Sequence, residues 1–255
     1  MISPSPERDA GPQGRNARGI ADSFATPEWY LRRFAANIRV RTETVAALTQ
    51  GMVFARVLDV GCGDGSLSLP LLPRAARITF LDPSEAMLAR VAGRIGQRDS
   101  THVDFVNSGF MTAKLPVGSF DLILCVGVLA YVRELEPFLA KITSLLQPSG
   151  RLILECTEAA HGLSRLERAY QSLTALVKPA QFATYPHRKR EVVALAGAEG
   201  LRLMETFQYA YGAPLVSRLL SQPRTYELIR RVFGTVDANR RSRLGNQCIF
   251  CFERR

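Results

Sequence analysis

The residues that most invite chemistry are a spaced set of carboxylates and glycines. Asp59 is followed by Gly61, Gly63 and Gly65 at every second position, and Asp82 comes seventeen residues after the last glycine. The apolar run Val57, Leu58 and Val60 leads into the glycines, and Ser66 with several leucines leads away. That order reads as a buried parallel strand, a tight turn and a helix over about 66–72. Glycines in such a turn let backbone approach a ligand, because no Cβ intervenes and positive φ costs little. The N–H groups of the following helix would add a mild positive pole. A pyrophosphate-binding fingerprint is spaced G-x-G-x-x-G. Here the third glycine comes one residue early, which argues against a nucleotide-cofactor oxidoreductase. For proton transfer the chain offers three histidines. His102 precedes a strand on the far side from the turn. His161, a few residues after the fifth strand, and His187, after an aromatic loop and beside Arg188-Lys189-Arg190, are the candidate catalytic bases, since imidazole accepts a proton near pH 7.

The arrangement Asp59-x-Gly61-x-Gly63-x-Gly65 resembles the first motif of the class I, Rossmann-like S-adenosylmethionine (SAM)-dependent methyltransferases of small-molecule type. Four further stretches carry the same likeness in the same order. They are Ile78–Leu81 ending in Asp82-Pro83-Ser84, Val103–Phe110, Ser119–Leu129, and Leu145–Glu155. Together they span about residues 55–156. The resemblance implies SAM as cofactor, S-adenosylhomocysteine as product, and no metal. It implies that Asp59, Gly61, Cys62 and Gly63 hold the methionine half, the acidic group suiting an ammonium and a sulfonium. Asp82 would accept the ribose hydroxyls, with Pro83 beside it; it or Ser84 would equally serve as a helix cap. Met87 would lie over the adenine, or only in the core. Gly109 stands where the family usually places an acidic residue for the adenine amino group, leaving that contact to backbone, Ser108 or Phe110. Cys125 and Val126 would line the pocket beside the reacting methyl. A helix ahead of the first motif often closes over the cofactor, so Tyr30, Arg39 or Arg41 would meet the methionine carboxylate; the arginines would equally face water.

These groups need a scaffold. Residues 55–156 alternate strand and helix patterns, the rhythm of a doubly wound α/β fold. The expected architecture is a mostly parallel seven-stranded sheet with helices on both faces. Helices are expected near 84–97 and 134–147, and later near 163–177 and 189–199. Residues 1–19, rich in Ser, Pro, Gly and Arg, read as a disordered tail. Residues 20–50 read as an N-terminal helical cap, with Pro27 suited to a helix start. Residues 51–255 read as the cofactor-binding domain, with helical insertions at about 157–186 and 210–246. The second insertion replaces a hairpin with two short amphipathic helices, apolar on one side and rich in arginine on the other (218, 224, 230, 231, 240, 241, 243). It is expected to wall the acceptor pocket and give it a basic rim.

Composition bounds the rest. With 255 residues and 47% apolar content the chain suits one large domain with additions. The longest apolar run, Leu122 to Val132, is too short to span a bilayer, and no apolar signal segment opens the chain, so a cytoplasmic location is expected. The five cysteines read as reduced thiols. Cys248 and Cys251 sit three apart on a strand, on opposite faces, and lack the second pair that a zinc site needs. Net charge is +10, and residues 161–255 supply 16 Lys+Arg against 7 Asp+Glu. That asymmetry points to an acidic partner, such as a phosphorylated, carboxylated or carrier-bound metabolite or a membrane surface, or to a merely solvated basic face. Nucleic acid is disfavoured, because Cys125-Val126-Gly127-Val128 stands where amino-methylating nucleic-acid enzymes carry Asn- or Asp-Pro-Pro-aromatic. The functional expectation is methyl transfer to an O, N or C atom of a small or carrier-bound, acidic or partly apolar metabolite. The other readings are a SAM-binding regulatory or scaffold protein without turnover and, less favoured, a nucleic-acid or protein methyltransferase. Oligomeric state is not legible in the sequence.

Overall fold

The computed structural model describes residues 27–95, 102–175, 184–211 and 220–255. Seven strands form one sheet. They are β1 (Phe54–Val60), β2 (Ala75–Asp82), β3 (Val103–Asn107), β4 (Phe120–Cys125), β5 (Leu146–Thr157), β6 (Leu201–Tyr209) and β7 (Gln247–Arg254). Their order is β3-β2-β1-β4-β5-β7-β6. β1 to β5 run parallel, and β7 lies antiparallel to both β5 and β6. The helices are α1 (Pro27–Arg33), α2 (Ala35–Leu48), α3 (Glu85–Ile95), α4 (Leu135–Leu145), α5 (Gly162–Ala175), α6 (Lys189–Ala198) and α7 (Gln222–Phe233).

Both faces of the sheet are covered, which is why its strands read as continuous apolar runs. Alternate residues feed two cores. Leu58, Val60, Ile123 and Cys125 pack into one; Val57, Leu122 and Leu124 pack into the other. Cys248 and Cys251 fall on opposite faces by the same alternation, and all five cysteines are buried free thiols. Strand order reverses between β1 and β4, so the connections leaving their carboxyl ends diverge. That leaves a crevice, the usual ligand position in open α/β sheets.

Three expectations change. First, no α-helix follows the glycine turn: residues Leu69–Arg74 form a 3₁₀ segment with Pro73 inside it. Proline lacks the N–H of an α-helical ladder and its ring crowds the carbonyl four residues back. The positive pole of a following helix is therefore absent. Second, the helical pattern expected over 20–50 is interrupted, with two helices, α1 and α2, within residues 27–48. They meet at Phe34, whose ring lies 4.9 Å from Tyr30 and 6.0 Å from Tyr211. Third, the described part of the late insertion packs on α2. The Tyr226 hydroxyl donates to Glu43 at 2.7 Å, the Arg230 guanidinium pairs with the same carboxylate, and Arg39 lies 3.9 Å over the Tyr226 ring. The expected tail (1–19), the first helix of the insertion around Leu215–Leu219, and Phe182 and Ala183 of the aromatic loop lie outside the described residues.

Candidate functional site

The crevice is a cavity of about 550 Å³. One half is walled by Gly61, Gly63, Asp82, Pro83 and Met87, and the other by Gly109, Phe110, Met111, Val126, Val128, Tyr131 and Tyr185. Tyr30 lines it from α1. Nine expected residues thus converge on one hollow: Tyr30, Gly61, Gly63, Asp82, Pro83, Met87, Gly109, Phe110 and Val126.

The glycine turn is built by backbone conformation and close approach. Gly61, Gly63 and Gly65 have φ of 66°, 55° and 72°. The Gly61 and Cys62 amides both donate to the Leu81 carbonyl, at 2.7 and 3.1 Å, which ties the turn to β2. A Cβ on Gly61 would stand 2.5 Å from Cγ2 of Val128. A Cβ on Gly63 would meet nothing within 4 Å and would project into open space.

Asp82 closes β2 and clamps that turn. Its Oδ2 accepts from the Gly63 amide at 2.9 Å, and its Oδ1 accepts from the Ser84 amide at 2.8 Å. Burial raises its pKa, although both amides favour the charged form. Ser84, not Asp82, stands nearest to capping α3: its Oγ accepts from the Met87 amide at 3.4 Å. Met87 is buried beneath the same wall. Across the cavity, the Gly109–Ala113 turn is held by a residue the sequence did not single out. Lys141 on α4 donates to the carbonyls of Phe110, Met111 and Ala113 at 2.7, 3.0 and 2.8 Å.

Six expected residues lie elsewhere. Asp59 points behind the turn, where its Oδ2 accepts from Ser68 Oγ at 2.5 Å. Burial pushes its pKa up to about 7, against the Ser68 hydrogen bond. Cys62 and Cys125 are buried in the two cores, and burial raises both thiol pKa values. Arg41 is likewise buried, with Nη2 2.5 Å from Oε2 of Glu155 and Nε donating to Oε1 at 3.0 Å. Burial opposes its charge, yet Glu155 prevails and its pKa rises. The Tyr209 hydroxyl donates to Glu155 as well, at 3.0 Å. Arg41 therefore supports the wall from behind: an added Cβ on Gly127 would sit 3.1 Å from its Nη1.

Neither candidate base faces the cavity. His161 opens α5, its Nδ1 accepting from the Leu163 amide at 3.2 Å. His187 is buried and its Nε2 lies 2.7 Å from the Val132 carbonyl, to which it donates. Both rings are occupied in holding backbone. Of the described arginines in the late insertion, none lines the cavity, so the basic rim is not built there. The second wall comes instead from residues 126–134 and Tyr185. The apolar run and aromatic loop were visible in sequence, but nothing in them said which residues turn inward.

No group of three or more potential metal ligands occurs among the described residues. The site fits an adenosyl cofactor on its own geometry. A carboxylate with unused lone pairs stands at the edge of β2, a turn is kept clear of side chains, and a buried Met87 floors the space between.

Residues 58–152 match the family described as "Methyltransferase domain". A ubiquinone biosynthesis O-methyltransferase of Xanthomonas oryzae is 33% identical over 159 residues, 57% of this chain and 66% of that protein. The matched stretch is thus just under two thirds of the relative's length. Among solved structures, a SAM-dependent methyltransferase of Thermotoga maritima, described as a possible histamine N-methyltransferase, superposes with a TM-score of 0.65 at 16% identity. It covers 92% of this chain and 100% of its own. Magnesium protoporphyrin IX methyltransferase of Synechocystis, with S-adenosylhomocysteine bound, gives 0.62 at 18% identity, covering 94% and 100%. The glycine turn with its Asp82 clamp and the matched stretch lead to one conclusion: residues 58–152 carry a methyltransferase domain, set in a chain with the fold of the SAM-dependent methyltransferases.

Proposed function

We propose that this chain transfers the methyl group of SAM to a small, largely apolar acceptor bound in the second half of the cavity. The observation that carries the proposal is the continuity of the two halves. The wall of Gly61, Gly63 and Asp82 opens directly onto one of Phe110, Met111, Val128, Tyr131 and Tyr185. SAM when bound supplies an already activated methyl. The protein's part is then to bind, align and exclude water. Asp82 would hold the ribose, the Gly61–Gly63 backbone the amino-acid half, and Phe110 and Met87 the faces of the adenine. The three tyrosines and Met111 would sandwich a flat apolar acceptor. Besides Asp82, Arg133 and Glu134 are the charged residues on the cavity wall. Of these, Glu134 is the carboxylate that would take a proton from an acceptor hydroxyl. Burial lifts the Tyr131 phenol to about 12, so it would serve as a hydrogen-bond donor rather than a base.

The Xanthomonas relative acts in ubiquinone biosynthesis, which places phenolic quinone precursors first in a test panel. Calorimetric titration with S-adenosylhomocysteine, followed by transfer from tritiated SAM across that panel, tests the reading. Binding with label transfer supports it. Failure to bind S-adenosylhomocysteine overturns it. A second reading, cofactor binding without turnover, draws on the two histidines being committed to backbone. Tight binding with no transfer to any acceptor would favour it.

A further inference from the structure

A second cavity, of about 570 Å³, opens beside the first. Arg165 and Arg168 of α5 line it together with Arg188 at the start of α6, and Glu191 is its acidic member. Three guanidinium groups against one carboxylate leave a clear positive excess. Arg168 is already oriented, donating from Nη2 to the Ala159 carbonyl at 2.7 Å, and its other N–H donors remain for a ligand. Among the described residues none of the three arginines forms an ion pair. Nearby Glu158 does not neutralise them through an ion pair. Its oxygens accept from the Ala160 and Lys189 amides at 2.8 and 3.2 Å. Glu167 senses Arg168 but does not line the cavity.

Like charges gathered round one hollow repel each other until an anion enters, and guanidinium forks match oxyanions in pairs. We infer that this cavity is a binding site for a multiply charged oxyanion, a phosphate or pyrophosphate group, separate from the cofactor cavity. Residues 184–188 join the two. Tyr185 lines the first cavity while Pro186 and Arg188 line the second. The Tyr185 amide donates to the Ala130 carbonyl at 2.7 Å, and His187 holds Val132. An oxyanion bound there sits one residue from the acceptor wall. The site also accounts for part of the basic excess of residues 161–255 that the cofactor cavity leaves unused.

The inference does not depend on methyl transfer, and its test needs no cofactor. Inorganic pyrophosphate is titrated calorimetrically into the wild-type chain and into the double variant Arg165→Ala/Arg188→Ala, with thermal melting to confirm that both are folded. Both substituted side chains are exposed, so folding should survive. The expected result is saturable one-site binding that weakens with salt and falls about tenfold or more in the variant, as charge-assisted hydrogen bonds are lost. No binding to the wild type, or equal binding to both, overturns the site. Flotation with phosphatidylglycerol vesicles identifies the source of the anion. Vesicle retention abolished by the double substitution assigns it to a lipid headgroup. Equal retention, or none, beside intact pyrophosphate binding assigns it to a soluble metabolite.

Discussion

Replacing Asp82 by alanine removes a buried carboxylate that does two things at once. It accepts from the Gly63 and Ser84 amides at 2.9 and 2.8 Å, and it presents its remaining lone pairs to the cavity. Two amides left without that acceptor in a buried site cost about 1–3 kcal/mol in stability. Lost charge-assisted bonds to a ribose would cost about 1–3 kcal/mol in binding, roughly a 5- to 150-fold rise in Kd for S-adenosylhomocysteine. The two contributions separate if calorimetry is repeated with the 2′-deoxy analogue. In the wild type the analogue should bind more weakly than the parent, and in Asp82→Ala the two should bind alike. If the analogue loses the same factor in both proteins, Asp82 does not touch the ribose and acts only by clamping the glycine turn. The assignment would then be wrong even though the variant binds poorly.

Gly61→Ala should abolish most cofactor binding, because the new methyl meets Val128 at 2.5 Å from a backbone at φ 66°. Gly61→Ala/Val128→Ala should recover part of it, leaving about 1–2 kcal/mol of backbone cost; no recovery on titration would exclude the wall contact as the cause. Arg41→Met should destabilise the chain by about 3–5 kcal/mol in urea unfolding, because Glu155 stays buried without its cation. Arg41→Met/Glu155→Met should cost less than that single change, and a single-variant loss below about 1 kcal/mol would refute a buried pair. Asp59 gives a pH test. Folding raises its pKa from 3.8 to about 7, so the folded chain holds the proton more tightly. Its contribution is intact below about pH 4 and is lost as pH rises through about 7. Asp59→Asn should therefore gain little at pH 4 and on the order of 4 kcal/mol at pH 8. A pH-independent difference in stability would show that Asp59 titrates normally.

Spacing carried the first half of the site. Gly61, Gly63 and Asp82 were legible because strand, turn and strand are local, and their backbone demands select residue types directly. The sheet was legible for a similar reason: strands covered on both faces must be continuously apolar, and the helices between them keep a 3.6-residue period. Asp59 shows where local reading stops. It belongs to the motif, but one residue of alternation along a strand turns its carboxylate toward Ser68, away from the cavity. Arg41 looked like a ligand for a carboxylate and does bind one. That carboxylate is Glu155, 114 residues away, a partner supplied by packing alone. His161 and His187 had the right chemistry, yet long-range folding gave their nitrogens backbone partners. The arginine-lined cavity was present in the sequence only as a charge imbalance over the last third of the chain. Bringing Arg165 and Arg168 of α5 round one hollow with Arg188 required residues at least twenty positions apart in the chain to come together. Residue type and short spacing thus determined the fold and the cofactor turn. Which side chains share a cavity, and which are committed elsewhere, was decided by contacts between segments distant in the chain.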